Sequence, residues 1–243
     1  MKKEIQLFNQ YAKKYDLRNK NIMRKYHHSF RVMEFCKEIA VSLHLSEKDI
    51  SIAALCGLLH DIARFKQWTC YETYRDTDSF DHGDEGAHIL NENNFINEFT
   101  NDAEIASIVM NSVQYHNKLE LPEMNDRTLL FIKIVRDADK LDIMTEQGNQ
   151  IGEKEIILKE NLLFAIYQNK LCKNEEVSND TDSILRMLSW INDFNFKYSY
   201  SYLKEKNIIQ KKIDLLEIYG QTEATKKLKN FLLKKIEERI NTI

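Results

Sequence analysis

Histidine and aspartate stand side by side at His60 and Asp61, near the end of a long apolar stretch of the sequence. The stretch, DISIAALCGLLHDIARF, is apolar almost all the way round a helix, and a helix of that kind is typically buried. An ionised carboxylate is costly to bury unless it meets a cation, an arginine or lysine, or several hydrogen-bond donors. The pair is therefore either a hydrogen-bonded His–Asp pair in the core or part of a site that holds a metal ion.

Two more segments supply groups of the same chemistry. His28 lies on the apolar face of a predicted helix, where it is either a core histidine or a metal ligand. The segment IVRDADKLDIM places Asp137, Asp139 and Asp142 on a helix whose apolar face is too wide for a solvated acidic helix. At least one carboxylate must border the core, and helical spacing slightly favours Asp142 over Asp139. Two imidazoles and two carboxylates from three helices could form a mixed nitrogen and oxygen site for a divalent transition metal.

The composition predicts that helices position these groups. The chain has 243 residues, of which 43% are hydrophobic and 30% charged, enough for a sizeable core and too apolar for disorder throughout. Its six glycines and one proline are too few for the tight turns of a β-sandwich or barrel. We therefore expect an all-α fold, and no strand is predicted.

Helical periodicity locates the individual elements. The predicted helical segments are 5–15, 28–43, 46–65, 83–92, 102–115, 127–144, 153–168, 182–195 and 228–243. Ser46 and Asn125 or Asp126 are suited to cap two of them. The polar stretch from Trp68 to Asp81 lacks periodicity and is predicted to be a loop.

A break at Gly148 and Gly152 is the best candidate boundary in the chain. We expect a helical core over residues 1–147, with residues 148–243 forming a helical extension packed on the same domain. The four cysteines form no C-x-x-C pair and no zinc-finger set, so reduced thiols are predicted.

Charge and hydropathy restrict the partners and the compartment. The net charge of −3 lacks the strongly basic footprint of a nucleic-acid binder. No secretory h-region and no run of about 18 apolar residues is present, so a cytoplasmic protein with no membrane partner is predicted. The sequence gives no indication of the oligomeric state.

Three of these segments, HHSFRV, LLHDIARF and RDADKLDI, resemble in their order and helical setting the motifs of the HD-domain metal-dependent phosphohydrolases. The resemblance extends over roughly residues 24–145, more than half of the chain. It implies an HD-type helical bundle that holds a divalent transition metal (Mn, Fe, Co, Ni or Zn). By that resemblance the ligands are His28, His60, Asp61 and Asp139. The resemblance thus implies Asp139 as the ligand on this helix, whereas helical spacing favours Asp142.

Two further segments resemble family motifs that accompany a second ion. These are DHGDEGAHIL, with His82 as the candidate ligand, and SVQYHNK, with His116. His82 lies at a predicted helix start, so it is alternatively a capping or surface histidine. In that arrangement Asp61 bridges the two ions. A longer stretch, from RFKQWTC to WINDFNF, resembles a bacterial subfamily of HD proteins. This second resemblance does not imply a particular substrate.

A phosphorylated substrate needs cations in addition to the metal. Arg64 lies one helical turn after His60, and Lys118 and Lys140 follow other candidate ligands closely, so these three are the candidate phosphate contacts. The alternative interpretation of each of these three side chains is a charge on the surface that is solvated by water. The loop from Trp68 to Asp81 is either a lid that stacks on a base or sugar, or a packed Ω-loop.

The resemblance implies hydrolysis of a phosphomonoester or phosphodiester in a nucleotide or another small phosphorylated metabolite. Asp61 and Arg64 are then the candidate catalytic residues. A nuclease or a signalling-nucleotide phosphodiesterase is an alternative within hydrolysis. A di-iron oxygenase of HD type and a non-catalytic metal-binding sensor are alternatives outside it.

Overall fold

The computed structural model describes residues 1–146, 151–220 and 222–242, and in those residues it contains helices and no strand. The prediction of an all-α fold is therefore confirmed. The chain divides into two compact units, Met1–Asp142 and Ile143–Ile243. The predicted boundary between residues 147 and 148 lies outside the described residues.

The first unit carries every residue that the sequence singled out for chemistry. Its helices are α1 (Lys2–Ala12), α2 (Lys20–Ser42), α3 (Glu47–Leu59), α4 (Arg64–Tyr71), α5 (His82–Asn91), α6 (Ile96–Phe99), α7 (Ala103–Tyr115) and α8 (Asp126–Thr145), the last of which runs past the boundary between the units. Two of the predicted caps are confirmed. Ser46 accepts a hydrogen bond from the Asp49 amide, and Asn125 accepts one from the Thr128 amide.

Helix α3 is the centre of the first unit. Every residue from Ile52 to Ala63 is buried, as the unbroken apolar run predicts. Helix α2 packs on α3 so closely at Gly57 that an added Cβ atom would lie 2.7 Å from the Sγ atom of Cys36. This close approach brings the side chains that follow on α3 next to those of α2.

A second close approach joins α5 to α7. A Cβ atom at Gly83 would lie 2.5 Å from the carbonyl oxygen of Gln114, so only glycine fits there. Asp81 caps α5 by accepting hydrogen bonds from the amides of Gly83 and Asp84. The start of α5 is therefore held against the end of α7.

The second unit is also helical. Its helices are α9 (Glu160–Tyr167), α10 (Asp180–Ser189), α11 (Lys197–Glu205), α12 (Ile208–Leu216) and α13 (Glu223–Thr242). Helix α10 packs on α9 and α12, and α13 packs on α11 and α12. The apolar stripe predicted for α13 is buried at Leu228, Leu232 and Ile236, while Ile243 lies outside the described residues.

The predicted helix 182–195 is too long, since α10 ends at Ser189, and two further predictions about local structure are wrong. The segment Trp68–Tyr71 is helical and not part of a loop, because α4 is fixed by the buried side chains of Phe65 and Gln67 and ends at Tyr71, with Glu72 as its left-handed cap. Residues 153–159 are not helical. The Glu153 carboxylate instead accepts hydrogen bonds from the backbone amides at the start of α10.

The four cysteines are free, as predicted, and three of them are buried. Among the described residues, no helix combines the length and the apolar character needed to cross a bilayer.

Candidate metal centre

The first half of the site joins helices α2, α3 and α8. His28 is on α2, His60 directly follows α3, and Asp139 is on α8. The Nε2 atoms of the two histidines lie 3.2 Å apart. An oxygen of Asp139 lies 3.1 Å from the Nε2 atom of His28 and 3.6 Å from that of His60. The three side chains can therefore hold one metal ion.

The second half is formed where α5 meets α7. His82 is the first residue of α5, and His116 directly follows α7. Their Nε2 atoms lie 3.0 Å apart, and both side chains are buried. The structure thus places a second pair of imidazoles in the first unit.

Asp61 lies between the two pairs of histidines. Its Oδ2 atom is 3.3 Å from the Nε2 atom of His28 and 3.4 Å from that of His60. Its Oδ1 atom is 3.6 Å from the Nε2 atom of His82 and 3.9 Å from that of His116. One carboxylate therefore presents one oxygen to each pair, which is the arrangement required of a bridging ligand.

The outward ring nitrogens of two histidines are bound to backbone carbonyl groups. The Nδ1 atom of His60 donates to the carbonyl oxygen of Gly57 at 2.7 Å, and that of His116 donates to Val113 at 2.8 Å. A carbonyl oxygen can only accept, so both rings carry a proton on Nδ1. Their Nε2 atoms are then free to act as ligands.

Carboxylates hold the other two histidines in the same way. The Nδ1 atom of His28 lies 2.6 Å from a carboxylate oxygen of Asp142, and that of His82 lies 2.6 Å from one of Asp76. Metal-bound histidines typically donate their other ring nitrogen to a carboxylate or a carbonyl. All four Nε2 atoms therefore converge with the orientation that a metal site requires, and the residues fit a divalent transition metal.

Two cations balance the charge of Asp61. The Nζ atom of Lys25 lies 2.7 Å from its Oδ2 atom, and the Nε atom of Arg64 lies 3.4 Å from its Oδ1 atom. Burial alone would raise the pKa of Asp61, but the charges of Lys25, His60 and Arg64 hold it well below its usual value. Asp61 is therefore ionised, as a metal ligand must be.

The electrostatic setting of His28 favours a proton. Burial and the charge of Lys25 lower its pKa, but hydrogen bonds with Asp139, Asp142 and Asp61 outweigh them and raise the pKa to about 10. A proton on Nε2 and a metal ion at the same atom exclude each other.

The pKa values of the other three histidines of the site are shifted differently. Burial lowers the pKa of His60, but Asp61 and Asp139 raise it above the usual value. Burial and the charge of Arg64 lower the pKa of His82, and burial next to His82 and His60 lowers that of His116 to about 3. The second pair is therefore neutral at pH 7, whereas His28 binds a proton when no ion is present.

We expect metal binding at the first pair to release protons. Because the ion competes with a proton for the Nε2 atom of His28, its affinity rises with pH, by about tenfold per pH unit for each proton displaced. Titration calorimetry in buffers of different ionisation enthalpy between pH 6 and pH 9 measures this release. An affinity that does not change over this range would contradict the assignment of His28.

The cation predicted to bind phosphate is held firmly. Arg64 donates from Nη1 to the Gln67 side chain, the Tyr74 carbonyl oxygen and the Asp76 carboxylate. Its Nη2 atom lies 3.3 Å from the Nε2 atom of His82. The guanidinium group therefore lies directly beside the second pair of histidines.

The two candidate lysines differ from Arg64. The Nζ atom of Lys118 lies 2.7 Å from carboxylate oxygens of both Asp81 and Asp84, so this lysine is held in ion pairs. Lys140 follows Asp139 on α8 and is half-buried. Arg64, by contrast, lies 3.3 Å from the Nε2 atom of a candidate ligand, His82.

Sequence reasoning missed Lys25 and Asp76. Lys25 lies one helical turn before His28, and the need of Asp61 for a counter-charge was the signal that pointed to such a residue. Asp76 lies in a 3₁₀ turn, where no periodicity distinguishes it from Asp78. Asp142, which spacing favoured as a ligand, instead binds the outer nitrogen of His28 and the guanidinium group of Arg31.

The three remaining histidines take no part in this site. His27, His44 and His88 are exposed, in agreement with their absence from the motifs.

Residues 26–144 match the family model of the HD domain. This segment, just under half of the chain, is therefore an HD domain, and proteins with this domain are generally metal-dependent phosphohydrolases. All six candidate ligands lie within the matched residues. Neither a comparison with curated proteins nor one with solved structures finds a match to the chain.

Proposed function

We propose that the chain is a metal-dependent hydrolase of a phosphomonoester or phosphodiester, acting on a nucleotide or a similarly small phosphorylated metabolite. One observation carries the proposal: four imidazole Nε2 atoms converge on the two oxygens of Asp61, each ring fixed through its other nitrogen. The proposed ligands are His28, His60, Asp61 and Asp139 for one ion and His82, His116 and Asp61 for a second.

A divalent ion held by these residues would lower the pKa of a bound water and polarise a phosphoryl oxygen. The chain contributes fixed positions and charge. Asp61 is held between Lys25 and Arg64, which keep it ionised and oriented. These two cations also offset the negative charge that develops on a phosphoryl group during its transfer.

The exposure of the ligands indicates where a substrate approaches. The Asp139 side chain is 23% exposed, whereas that of Asp61 is 3% exposed and those of the four histidines no more than 6%. A phosphorylated substrate therefore reaches the centre on the side of Asp139. Arg64, with 12% of its side chain exposed, offers its guanidinium group near the opposite pair.

The test uses two neighbouring histidines on α2. The wild-type protein, His28→Ala and His27→Ala are loaded with Mn²⁺, Co²⁺ or Ni²⁺ and assayed against a panel of phosphorylated metabolites. We expect His28→Ala to weaken binding of the first ion by more than about 100-fold, since loss of an outer partner alone typically costs 10–100-fold. Hydrolysis should fall to background, and chelation of the wild type should have the same effect. His27→Ala, which changes an exposed ring one residue away, should behave as the wild type.

The other outcomes separate the alternatives. Hydrolysis of polynucleotides but not of the metabolites would favour a nuclease. Bound iron with oxygen consumption and no hydrolysis would favour an oxygenase. Metal binding without any turnover would favour a sensor, and equal metal affinity in His28→Ala and His27→Ala would contradict the metal site itself.

A further inference from the structure

The carboxylate of Asp76 connects two parts of the site through its two oxygens. Its Oδ2 atom lies 2.6 Å from the Nδ1 atom of His82. Its Oδ1 atom accepts hydrogen bonds from Arg64 at 3.0 Å and from the Gln67 amide at 3.0 Å. Asp76 thus contacts both the candidate ligand of the second ion and the candidate phosphate contact.

The segment that carries Asp76 is fixed to helix α4. The side chain of Gln67 is fully buried, and its amide also donates to the hydroxyl of Ser79 and the carbonyl oxygen of Phe80. Arg64 adds a bond to the carbonyl oxygen of Tyr74. These bonds hold residues 74–80 in place on α4, which favours the packed Ω-loop over the lid.

We propose that Asp76 is a positioning residue that sets the tautomer of His82 and thereby makes its Nε2 atom available to the second ion. This inference rests on the proposed function, because it concerns the second ion of that site. An ionised carboxylate can only accept a hydrogen bond, so the proton of His82 stays on Nδ1. The lone pair of Nε2 then faces His116 and the Oδ1 atom of Asp61. A carboxylate of this kind holds a histidine in its working tautomer without reacting itself.

One competing arrangement uses the same side chains. Ligand atoms of Asp76, Asp81 and His82 lie within 4.8 Å of one another and could themselves hold a cation. Both carboxylates already face protein cations, Asp76 at Arg64 and Asp81 at Lys118. The contacts of Asp76 therefore favour the positioning role over a role as a ligand of a separate cation.

The substitution Asp76→Asn tests the inference with almost no change in shape. The asparagine oxygen can still accept from Arg64 and Gln67, while its amide donates to the Nδ1 atom of His82. This reversal should move the proton of His82 to Nε2. In ¹⁵N-histidine NMR spectra of the metal-free protein, we expect the Nδ1–H form in the wild type and the Nε2–H form in Asp76→Asn.

Metal titration gives the second readout. We expect wild-type protein titrated with Mn²⁺ to bind two ions, and Asp76→Asn to keep the first ion and bind the second at least about tenfold more weakly. Asp78→Asn, two residues along the same turn and exposed, should match the wild type in both measurements.

The outcomes distinguish this inference from the proposed function. A wild type that binds one ion at saturation would contradict the binuclear form of the proposed function, and the tautomer measurement would still decide the role of Asp76. An Nε2–H form of His82 in the wild type would overturn the inference whether or not the variant folds. An unchanged tautomer and an unchanged second ion in Asp76→Asn would overturn it as well, and so would an ion located between Asp76 and Asp81.

Discussion

The substitution Asp61→Asn is expected to remove both metal ions and to lower hydrolysis by more than about 10³-fold, the scale seen when one member of a set of cooperating catalytic groups is lost. The reason is the position of Asp61, whose two carboxylate oxygens each face one pair of histidines. An amide keeps the shape of the side chain but carries no negative charge, so neither ion gains the stabilisation that a carboxylate gives. Metal content after dialysis and initial rates on a substrate of the wild type measure the two effects.

The control for this experiment is Asp78→Asn, which makes the same chemical change at an exposed aspartate. Far-UV circular dichroism of both variants shows whether the helices are retained. Full metal content in folded Asp61→Asn would contradict the bridging position of Asp61.

Arg64→Ala is expected to lower kcat by about 10²-fold, since loss of one preorganised donor at a site of developing charge typically costs 10²–10³-fold. The first ion should stay bound, because arginine cannot be a ligand and the first pair of histidines is not on α4: His28 is on α2, and His60 directly follows α3. A joint measurement of kcat and of metal affinity therefore separates a role in phosphate binding from a role in metal binding.

Helix α4 offers a matched control in Lys66, a cation two residues further on whose side chain is 46% exposed and pairs with Glu85. Lys66→Ala should change kcat by less than about twofold, since exposed ion pairs contribute little. If Arg64→Ala were as active as Lys66→Ala, the assignment of Arg64 as the phosphate contact would be wrong, although the metal site would stand.

The sequence predicts the helices of the first unit well, because their signals are local. The apolar run before His60 predicts the burial from Ile52 to Ala63, and side chains such as Ser46 set the helix starts. The errors occur where distant groups decide the structure. The burial of Gln67 extends α4 past Trp68. Residues 153–159 are not helical, because the Glu153 side chain binds the backbone at the start of α10.

The site is predictable to the extent that its residues follow motifs. Spacing alone identifies carboxylates that border the core on α8, but it favours Asp142, which faces the δ nitrogen of His28, over Asp139, which faces the ε nitrogens. That difference depends on how α8 is rotated against α2. The role of Asp76 depends on the path of an irregular segment, for which the sequence carries no periodic signal.

Anomalous diffraction from crystals of the Mn²⁺-loaded protein tests the central claim most directly. We predict one peak among the Nε2 atoms of His28 and His60 and the carboxylates of Asp61 and Asp139. A second peak should lie beside His82 and His116, about 3.5–4 Å from the first, as in two-metal sites. Manganese peaks located only elsewhere on the chain, with none within bonding distance of His60 or Asp61, would contradict the metal centre and the hydrolase function proposed from it.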